Sequence, residues 1–203
     1  MGLILEGLQT YHHKSVKLFI RNMQCLQDIK RVRAILDTQN ISHISVELGE
    51  VEANKLSKEN TKKLHGALTE VGMGIVENKK LILIERIKTL VILMIRFSDE
   101  LPAENYSHHI SKKLGYNYTY LANLFSSTEN ITIEHFIINH KIEKVKELLS
   151  DEELNLTEIT EKMHYSSVAH LSNQFKKVTG VTTTYFKNNP DAAWREKSSK
   201  KHL

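Results

Sequence analysis

The second half of this chain contains an internal duplication, and no other sequence feature constrains the fold as strongly. Seven apolar or aromatic positions recur at an offset of 49 residues up to a tyrosine and 50 residues after it. The first copy has Ile110, Leu114, Tyr116, Leu121, Phe125, Ile131 and Phe136, and the second has Ile159, Met163, Tyr165, Leu171, Phe175, Val181 and Phe186. A nearly constant offset indicates one supersecondary unit that is present twice.

Each copy has the pattern of two short helices joined by a short turn, which is typical of a helix-turn-helix. In the first copy, Asn117 is the predicted N-cap of a helix over residues 118–127. In the second copy, Ser166 is the predicted N-cap of a helix over 167–179. Apolar residues along Phe136–Leu149 predict one helix that connects the two copies.

The acidic residues of the second half are segregated along the sequence. Residues 98–203 carry 13 basic and 14 acidic residues, a balance that alone argues against nucleic-acid binding. However, residues 105–128 and 162–190 contain no Asp or Glu, and nine acids lie between them. Both predicted second helices lie in these acid-free segments. A surface that faces phosphates needs this distribution, because basic contacts to phosphate release counterions.

The second helix of a helix-turn-helix enters the major groove with its N-terminal half. Asn123 and Asn173 occupy equivalent outward positions, where asparagine can bond adenine through two hydrogen bonds, and Thr119 can contact a thymine methyl group. Solvated polar faces are the alternative interpretation. The predicted DNA-contacting residues are Asn117, Tyr118, Thr119, Ala122, Asn123 and Ser126 in the first copy, and Ser167, Val168, Ala169, Ser172, Asn173, Lys176 and Lys177 in the second.

Three motifs carry a resemblance to a known family: L-G-Y-N-Y-T-Y-L-A-N-L-F, K-I-E-K-V-K-E-L-L and S-S-V-A-H-L-S-N-Q-F-K-K-V-T-G-V-T. Residues 107–186 resemble the DNA-binding domain of AraC/XylS-type bacterial transcription regulators. The resemblance implies two helix-turn-helix subdomains joined by a helix, which place their recognition helices in successive major grooves of double-stranded DNA. The chain departs from the family pattern at His164, where a glycine is usual, and at Thr183, where a proline is usual. An arginine common in the connecting helix is missing, and His140 and Lys141 lie nearby.

The first half of the chain has the pattern of a small α+β domain. Strands are predicted at Val16–Ile20 and Ile44–Val51, and helices at Leu26–Leu36 and Thr61–Val71. The stretches V-K-L-F-I-R-N-M-Q-C and V-E-L-G-E-V-E are similar to the N-terminal domain of certain Bacteroidetes-type regulators of this family. That domain resembles the ferredoxin-like heavy-metal-associated fold. The predicted fold class is therefore a ferredoxin-like α+β domain followed by an all-α domain of two helix-turn-helix subdomains.

Leu81–Phe97 is a predicted helix with a wide apolar stripe. The stripe can pack within the N-terminal domain, or it can form the seam of a homodimer. The predicted domains are 1–97, a sensor and dimerisation domain with an unknown small-molecule effector, and 106–189, the DNA-binding domain. Between them lies a linker at 98–105, and a flexible polar tail follows at 190–203.

A metal- or thiol-binding sensor or carrier that acts through Cys25 is the alternative function. The heavy-metal-associated fold carries M-x-C-x-x-C, whereas this chain has Asp28 at the second cysteine position. A soft copper ion prefers two thiolates, so Met23 and Cys25, with His12 or His13, are weak candidates for metal ligands. Cys25 as an ordinary packed residue is the simpler interpretation, and we expect no cofactor.

Several function classes are not expected. A single cysteine excludes an intramolecular disulfide and fits a reducing compartment. The N-terminus has no signal-peptide pattern, and Leu81–Phe97 is too short and too charged to span a bilayer, so we expect a cytoplasmic protein. A DNA-repair alkyl transferase would need a reactive cysteine, for which Lys30 and Arg31 are the basic residues close to Cys25. Without a recognisable catalytic constellation, no enzymatic role is predicted.

Overall fold

The computed structural model of the protein describes residues 15–97, 105–151 and 154–189. The chain divides into two compact units, residues 1–89 and 90–203. This boundary falls between Thr89 and Leu90, inside a helix. The predicted linker, apart from Asn105, and the predicted tail lie outside the described residues.

The first unit contains a four-stranded antiparallel sheet in the order β2-β3-β1-β4. Its elements are β1 (Ser15–Arg21), α1 (Leu26–Thr38), β2 (His43–Glu47), β3 (Glu50–Asn54), α2 (Lys58–Glu70) and β4 (Gly74–Val76), and α3 (Lys79–Ile92) follows. The succession β-α-β-β-α-β is that of the ferredoxin-like fold. The predicted fold class is confirmed for this half of the chain.

The prediction of one strand over Ile44–Val51 is wrong, because this stretch folds into the β2–β3 hairpin. Gly49 lies in the turn with φ +77°, a left-handed conformation that residues with a Cβ rarely adopt. A Cβ at Gly49 would also collide with Oγ1 of Thr89. Val46 and Val51 pair across the hairpin and are both buried. The alternation of apolar and polar residues at Ile44, Val46 and Leu48 continues up to the turn, so the stretch resembled a single strand.

Helices α1 and α2 bury regular apolar stripes. Val32 and Leu36 on α1, and Leu64 and Leu68 on α2, are at most 1% exposed. The spacing of four residues places each pair on one helix face. The two helices contact each other and the sheet, so they form the core together with buried strand residues such as Ile20.

The helix predicted over Leu81–Phe97 is observed as α3, which ends at Ile92 and continues as a π-helical turn, Leu93–Phe97. Most of its apolar side chains are buried, and three remain more than a third exposed: Leu81, Leu93 and Phe97. Most of the apolar stripe is therefore buried by packing within the chain. Arg96 in the π-helical turn forms an ion pair with Glu147.

The second unit is helical. After the π-helical turn it contains α4 (Tyr106–Leu114), α5 (Tyr118–Glu129), α6 (Ile133–Ser150), α7 (Leu156–Lys162), α8 (Val168–Thr179) and α9 (Thr183–Asn188). Helix α6 is the predicted connecting helix, and it contacts α5, α7, α8 and α9. In the described part of the chain, none of the helices has both the length and the apolar character that crossing a bilayer requires.

Candidate nucleic-acid interface

The duplication is visible in the signals that start and stop the helices. Asn117 caps α5 and Ser167 caps α8, each with a side-chain oxygen that accepts a backbone N–H. Both helices end in a left-handed residue, Asn130 with φ 58° and Gly180 with φ 84°. Each pair is separated by 50 residues, the predicted offset. Each of these helix ends therefore recurs in the second copy at the position that the duplication predicts.

The predicted N-cap of α8 is shifted by one residue. Ser167, not Ser166, accepts the amide of His170 at 3.1 Å, so the helix begins at Val168. The hydroxyl of Ser166 instead lies 3.0 Å from Nδ1 of His170. Ser166 and Ser167 offer the same capping chemistry in the sequence. Because the second turn is one residue longer than the first, Ser167 occupies the N-cap position.

The two turns reach the same backbone conformation with different residues. Gly115 follows α4 with φ 73°, and His164 follows α7 with φ 50°. A left-handed conformation strains a residue that has a Cβ, and the strain is lowest for glycine. His164 stands where a glycine is usual, and it adopts the left-handed conformation of the turn in spite of this strain.

A matched aromatic pair anchors α5 and α8 to the core of the second unit. Phe125 on α5 and Phe175 on α8 are both fully buried. Their rings meet Phe136 and Phe186 edge to face, with 5.5 Å between centroids in both copies. Because these phenylalanines point inward, the opposite faces of α5 and α8 point away from the core.

The predicted contact residues occupy those outer faces to different degrees. The exposed ones are Asn117, Thr119 and Asn123 in the first copy, and Ser167, Ala169, Asn173, Lys176 and Lys177 in the second. The half-buried ones are Tyr118, Ala122, Ser126, Val168 and Ser172. Both asparagines that were predicted to read bases are exposed at equivalent positions.

Tyr118 is engaged inside the domain. Its hydroxyl donates a hydrogen bond of 2.5 Å to Oε1 of Glu134 at the start of α6. Burial and this hydrogen bond raise the pKa of Tyr118, and the same bond lowers the pKa of Glu134. The side chain therefore joins α5 to α6, and the sequence pattern alone did not indicate this partner.

Lys141 on the connecting helix α6 has a structural partner that the sequence did not predict. It is 9% exposed on α6, and its Nζ lies 4.2 Å from the ring centroid of Tyr165 in the turn between α7 and α8. Burial lowers the pKa of Lys141 to about 8. A cation over an aromatic face is a favourable contact, so this pair ties the second turn to the connecting helix.

We expect the contribution of Lys141 to the stability of the protein to rise with pH between about pH 8 and the ordinary lysine pKa of 10.5. In this window the unfolded chain binds the proton that folded Lys141 has lost, so the free energy of unfolding increases. The gain is on the order of 1–2 kcal/mol by pH 9.5, since one pKa unit corresponds to about 1.4 kcal/mol. Urea unfolding at pH 7.5, 8.5 and 9.5 measures it.

The matched variants for this test are Lys141→Met and Lys113→Met. Lys113 is exposed on α4, so its replacement leaves the rise in place, whereas Lys141→Met removes it. Equal pH dependence in the two variants would show that Lys141 titrates normally in the folded state.

The geometry of a tight turn between two helices, present twice, defines a helix-turn-helix protein of the DNA-binding class. Residues 110–189 match a family model described as a helix-turn-helix domain. This segment is an AraC-type helix-turn-helix domain, which confirms the resemblance that the motifs indicated.

The chain is similar to one curated protein and to two solved structures over part of its length. An uncharacterized HTH-type transcriptional regulator of Bacillus subtilis, YtdP, is 26% identical over 73 residues, which are 36% of this chain and 10% of that protein. The C-terminal domain of AraT, a response regulator from Geobacillus stearothermophilus, is 22% identical with a TM-score of 0.45, over 53% of this chain and 84% of that one. Transcriptional regulator CdpR from Pseudomonas aeruginosa is 15% identical with a TM-score of 0.45, over 77% of this chain and 51% of that one.

Cys25 lies at the start of α1, where Asp28 serves as a capping residue. The carboxylate of Asp28 accepts the amides of Gln24 at 2.8 Å and Cys25 at 3.1 Å, and the thiol of Cys25 at 3.2 Å. Met23 is buried. Within residues 15–97, 105–151 and 154–189 there is no group of three or more His, Cys, Asp or Glu that could hold a metal ion. His12 and His13 lie outside the described residues.

Proposed function

We propose that this protein is a sequence-specific DNA-binding transcription regulator that inserts α5 and α8 into successive major grooves. The observation that carries the proposal is the repetition of one exposed asparagine, Asn123 and Asn173, at the same place on two helices whose only acid is Glu129, the last residue of α5. A single polar helix face is common on soluble proteins. Two faces that share caps, inward phenylalanines and an outward asparagine are better explained by contact with a repeating ligand such as duplex DNA.

Direct reading of bases is assigned to the central part of each helix. Asn123 and Asn173 each have a carbonyl acceptor and an amide donor, the pair that matches N6 and N7 of adenine. Thr119 offers a methyl group to thymine. The residues beside the asparagines are small, and they let the helix approach the floor of the groove: Ala122 and Ser126 on α5, Val168, Ala169 and Ser172 on α8.

Contacts to the phosphate backbone are assigned to the ends of the helices. Asn117 and Ser167 lie at the N-termini of α5 and α8, where backbone amides and the helix dipole favour a phosphate. Lys176 and Lys177 are exposed in the last turn of α8. The first copy has Ser126 and Ser127 there, so the second copy holds the backbone more firmly. Tyr118, whose hydroxyl is bonded to Glu134, positions α5 from within.

Asn173→Ala tests the proposal most simply. Loss of a two-bond contact to adenine costs about 1–3 kcal/mol, so we expect affinity for the selected site to fall about 10- to 100-fold. Discrimination at one base pair is expected to disappear as well, because that base is no longer read. Fluorescence anisotropy with the selected duplex and with its single-base variants measures both effects.

Asn123→Ala is expected to act at a different base pair of the same site, one half-element away. Asn54→Ala in the first unit is the matched control, and it leaves affinity unchanged. Loss of affinity without loss of discrimination at any base pair would contradict the assignment of Asn173 to base reading.

We assign a homodimer contact to the apolar stripe of Leu81–Phe97, in which Leu93 and Phe97 remain exposed, and the symmetry of the bound DNA site reports this contact. We infer no enzymatic role, because the matched domain belongs to a DNA-binding regulator type. We also propose a cytoplasmic location, because a bacterial transcription regulator acts on chromosomal DNA. A small-molecule effector, if it regulates DNA binding, is assigned to the first unit.

A further inference from the structure

We infer that a basic cleft in the first unit binds a small organic anion, with a carboxylate or phosphate head and a compact apolar body. The cleft has a volume of about 560 Å³. It is bounded by the end of β1, one face of α2, β4 and the start of α3. Its basic side chains are Arg21, Lys58, Lys62 and His65, its apolar ones include Ile75 and Leu81, and Glu77 is its one acid in the described part of the chain.

The basic side chains of α2 lie on one face of the helix. Lys58, Lys62 and His65 are spaced at i, i+4 and i+7, which aligns them along the axis. The buried stripe formed by Leu64 and Leu68 fixes the rotation of α2 against the core. Lys58, Lys62 and His65 are exposed, and the basic face that they form has a defined direction.

Arg21 reaches the cleft across the edge of the sheet. Its register partner on β4 is Gly74. A Cβ built on Gly74 would lie 3.0 Å from Nε of Arg21, so the guanidinium group occupies the space that a side chain would need. A guanidinium in this position presents paired N–H donors, the arrangement that binds carboxylate and phosphate through two hydrogen bonds.

The charges of the cleft lack balancing partners within the described residues. No carboxylate in that part of the chain lies within 4.0 Å of the charged atoms of Arg21, Lys58 or Lys62, whereas the adjacent Lys63 pairs with Glu59 at 2.8 Å. Lys58 and Lys62 are like charges four residues apart, and Lys58 lies at the positive end of the helix dipole. The repulsion between the two lysines and the position of Lys58 at the N-terminus of α2 are both unfavourable in the empty cleft. A bound anion would reduce both electrostatic costs.

The shape and lining of the cleft limit the ligand. Its volume lies in the range typical of sites for small organic molecules, about 300–1,000 Å³. Ile75, Val76 and Leu81 supply apolar surface beside the cations. This combination favours an anion with a hydrophobic part over inorganic phosphate. The inference goes beyond DNA binding, and its test needs no DNA.

The test is calorimetric titration of the full chain with phenyl phosphate and benzoate, with benzamide as the neutral analogue. We expect at least one of the anions to bind saturably below about 10 mM with one site per chain, and benzamide not to bind. Arg21→Gln/Lys62→Gln is expected to weaken binding at least about 10-fold, because two charge-assisted contacts are lost. Lys63→Gln, which changes the next residue of α2 and already has Glu59 as its partner, is expected to bind as the unchanged protein does.

Three outcomes overturn the inference. If neither anion saturates the unchanged protein, the cleft does not hold this class of ligand. Equal affinity in Arg21→Gln/Lys62→Gln, with an unchanged melting temperature, would place the anion elsewhere. If the double variant loses DNA affinity while neither anion binds, the cleft contacts the DNA backbone instead. A protein that binds phenyl phosphate or benzoate but no DNA would support the cleft and contradict the proposed function, so the two can fail separately.

Discussion

Phe175→Ala is expected to destabilise the second helix-turn-helix copy by about 3–5 kcal/mol, the range for removing a fully buried phenylalanine. Phe175 has no exposed surface, and its ring meets Phe186 edge to face, so the substitution leaves a cavity between α8 and α9. Folded domains are stable by about 5–15 kcal/mol, so this loss is a large share of the total. Urea unfolding followed by far-ultraviolet circular dichroism measures it.

The duplication supplies the matched comparison. Phe125→Ala removes the equivalent ring of the first copy, and we expect a similar but smaller loss, because its partner Phe136 is only half-buried. Tyr185→Ala is the control, since this side chain is 46% exposed and its removal should cost less than about 0.5 kcal/mol. A loss below about 1 kcal/mol for Phe175→Ala would mean that α8 is not anchored through this residue.

Lys176→Gln/Lys177→Gln is expected to have the largest effect on DNA binding. Each lysine that neutralises a phosphate contributes about 0.9 to the slope of log affinity against log salt concentration. The double variant should therefore lower the magnitude of that slope by about 2 and weaken binding about 10- to 100-fold near 0.1 M salt. Affinities measured at four salt concentrations between about 50 and 250 mM give the slope.

A second pair of adjacent lysines provides the control for charge alone. Lys79 and Lys80 are exposed at the start of α3, and Lys79→Gln/Lys80→Gln changes the net charge by the same amount. We expect this control to leave the slope nearly unchanged. If the two double variants lower the slope equally, the attraction is a property of the net charge, and the assignment of Lys176 and Lys177 to phosphate contact fails.

The elements of the second unit were largely predictable, because the same pattern occurs twice. The inward pairs Leu121 with Phe125 and Leu171 with Phe175 set the helix phase, and the exposure of Asn123 and Asn173 follows from it. Local capping chemistry located the helix starts to within one residue. Where two serines were adjacent, at Ser166 and Ser167, sequence could not choose between them, since both side chains offer the same acceptor.

The first unit was less predictable because its strands are short. The hairpin at Gly49 was hidden because Ile44, Val46 and Leu48 alternate with polar residues up to the turn. Strand β4 has only three residues, too few for a visible alternation. The pattern of Leu81–Phe97 predicted its helix but not its change to a π-helical turn at Leu93.

Partners that are distant in sequence account for the parts of the site that reasoning from sequence missed. Lys141 over Tyr165, and Tyr118 with Glu134, depend on how α6 packs against each copy. The basic cleft joins Arg21 on β1 to Lys62 on α2 across Gly74, and only the sheet register brings them together. Periodicity describes one element at a time, so it does not show contacts of this kind.

The central claim, that α5 and α8 read two successive major grooves, is tested most directly by selection of bound DNA. The purified protein is incubated with sheared genomic DNA from its own source, and fragments retained at two salt concentrations are sequenced. The account predicts a shared motif that survives the higher salt, with two half-elements about one helical turn apart. A non-symmetric motif indicates a monomer, and a doubled motif a dimer. Fragments that share no motif and are released at the higher salt would contradict sequence-specific recognition by the two helices.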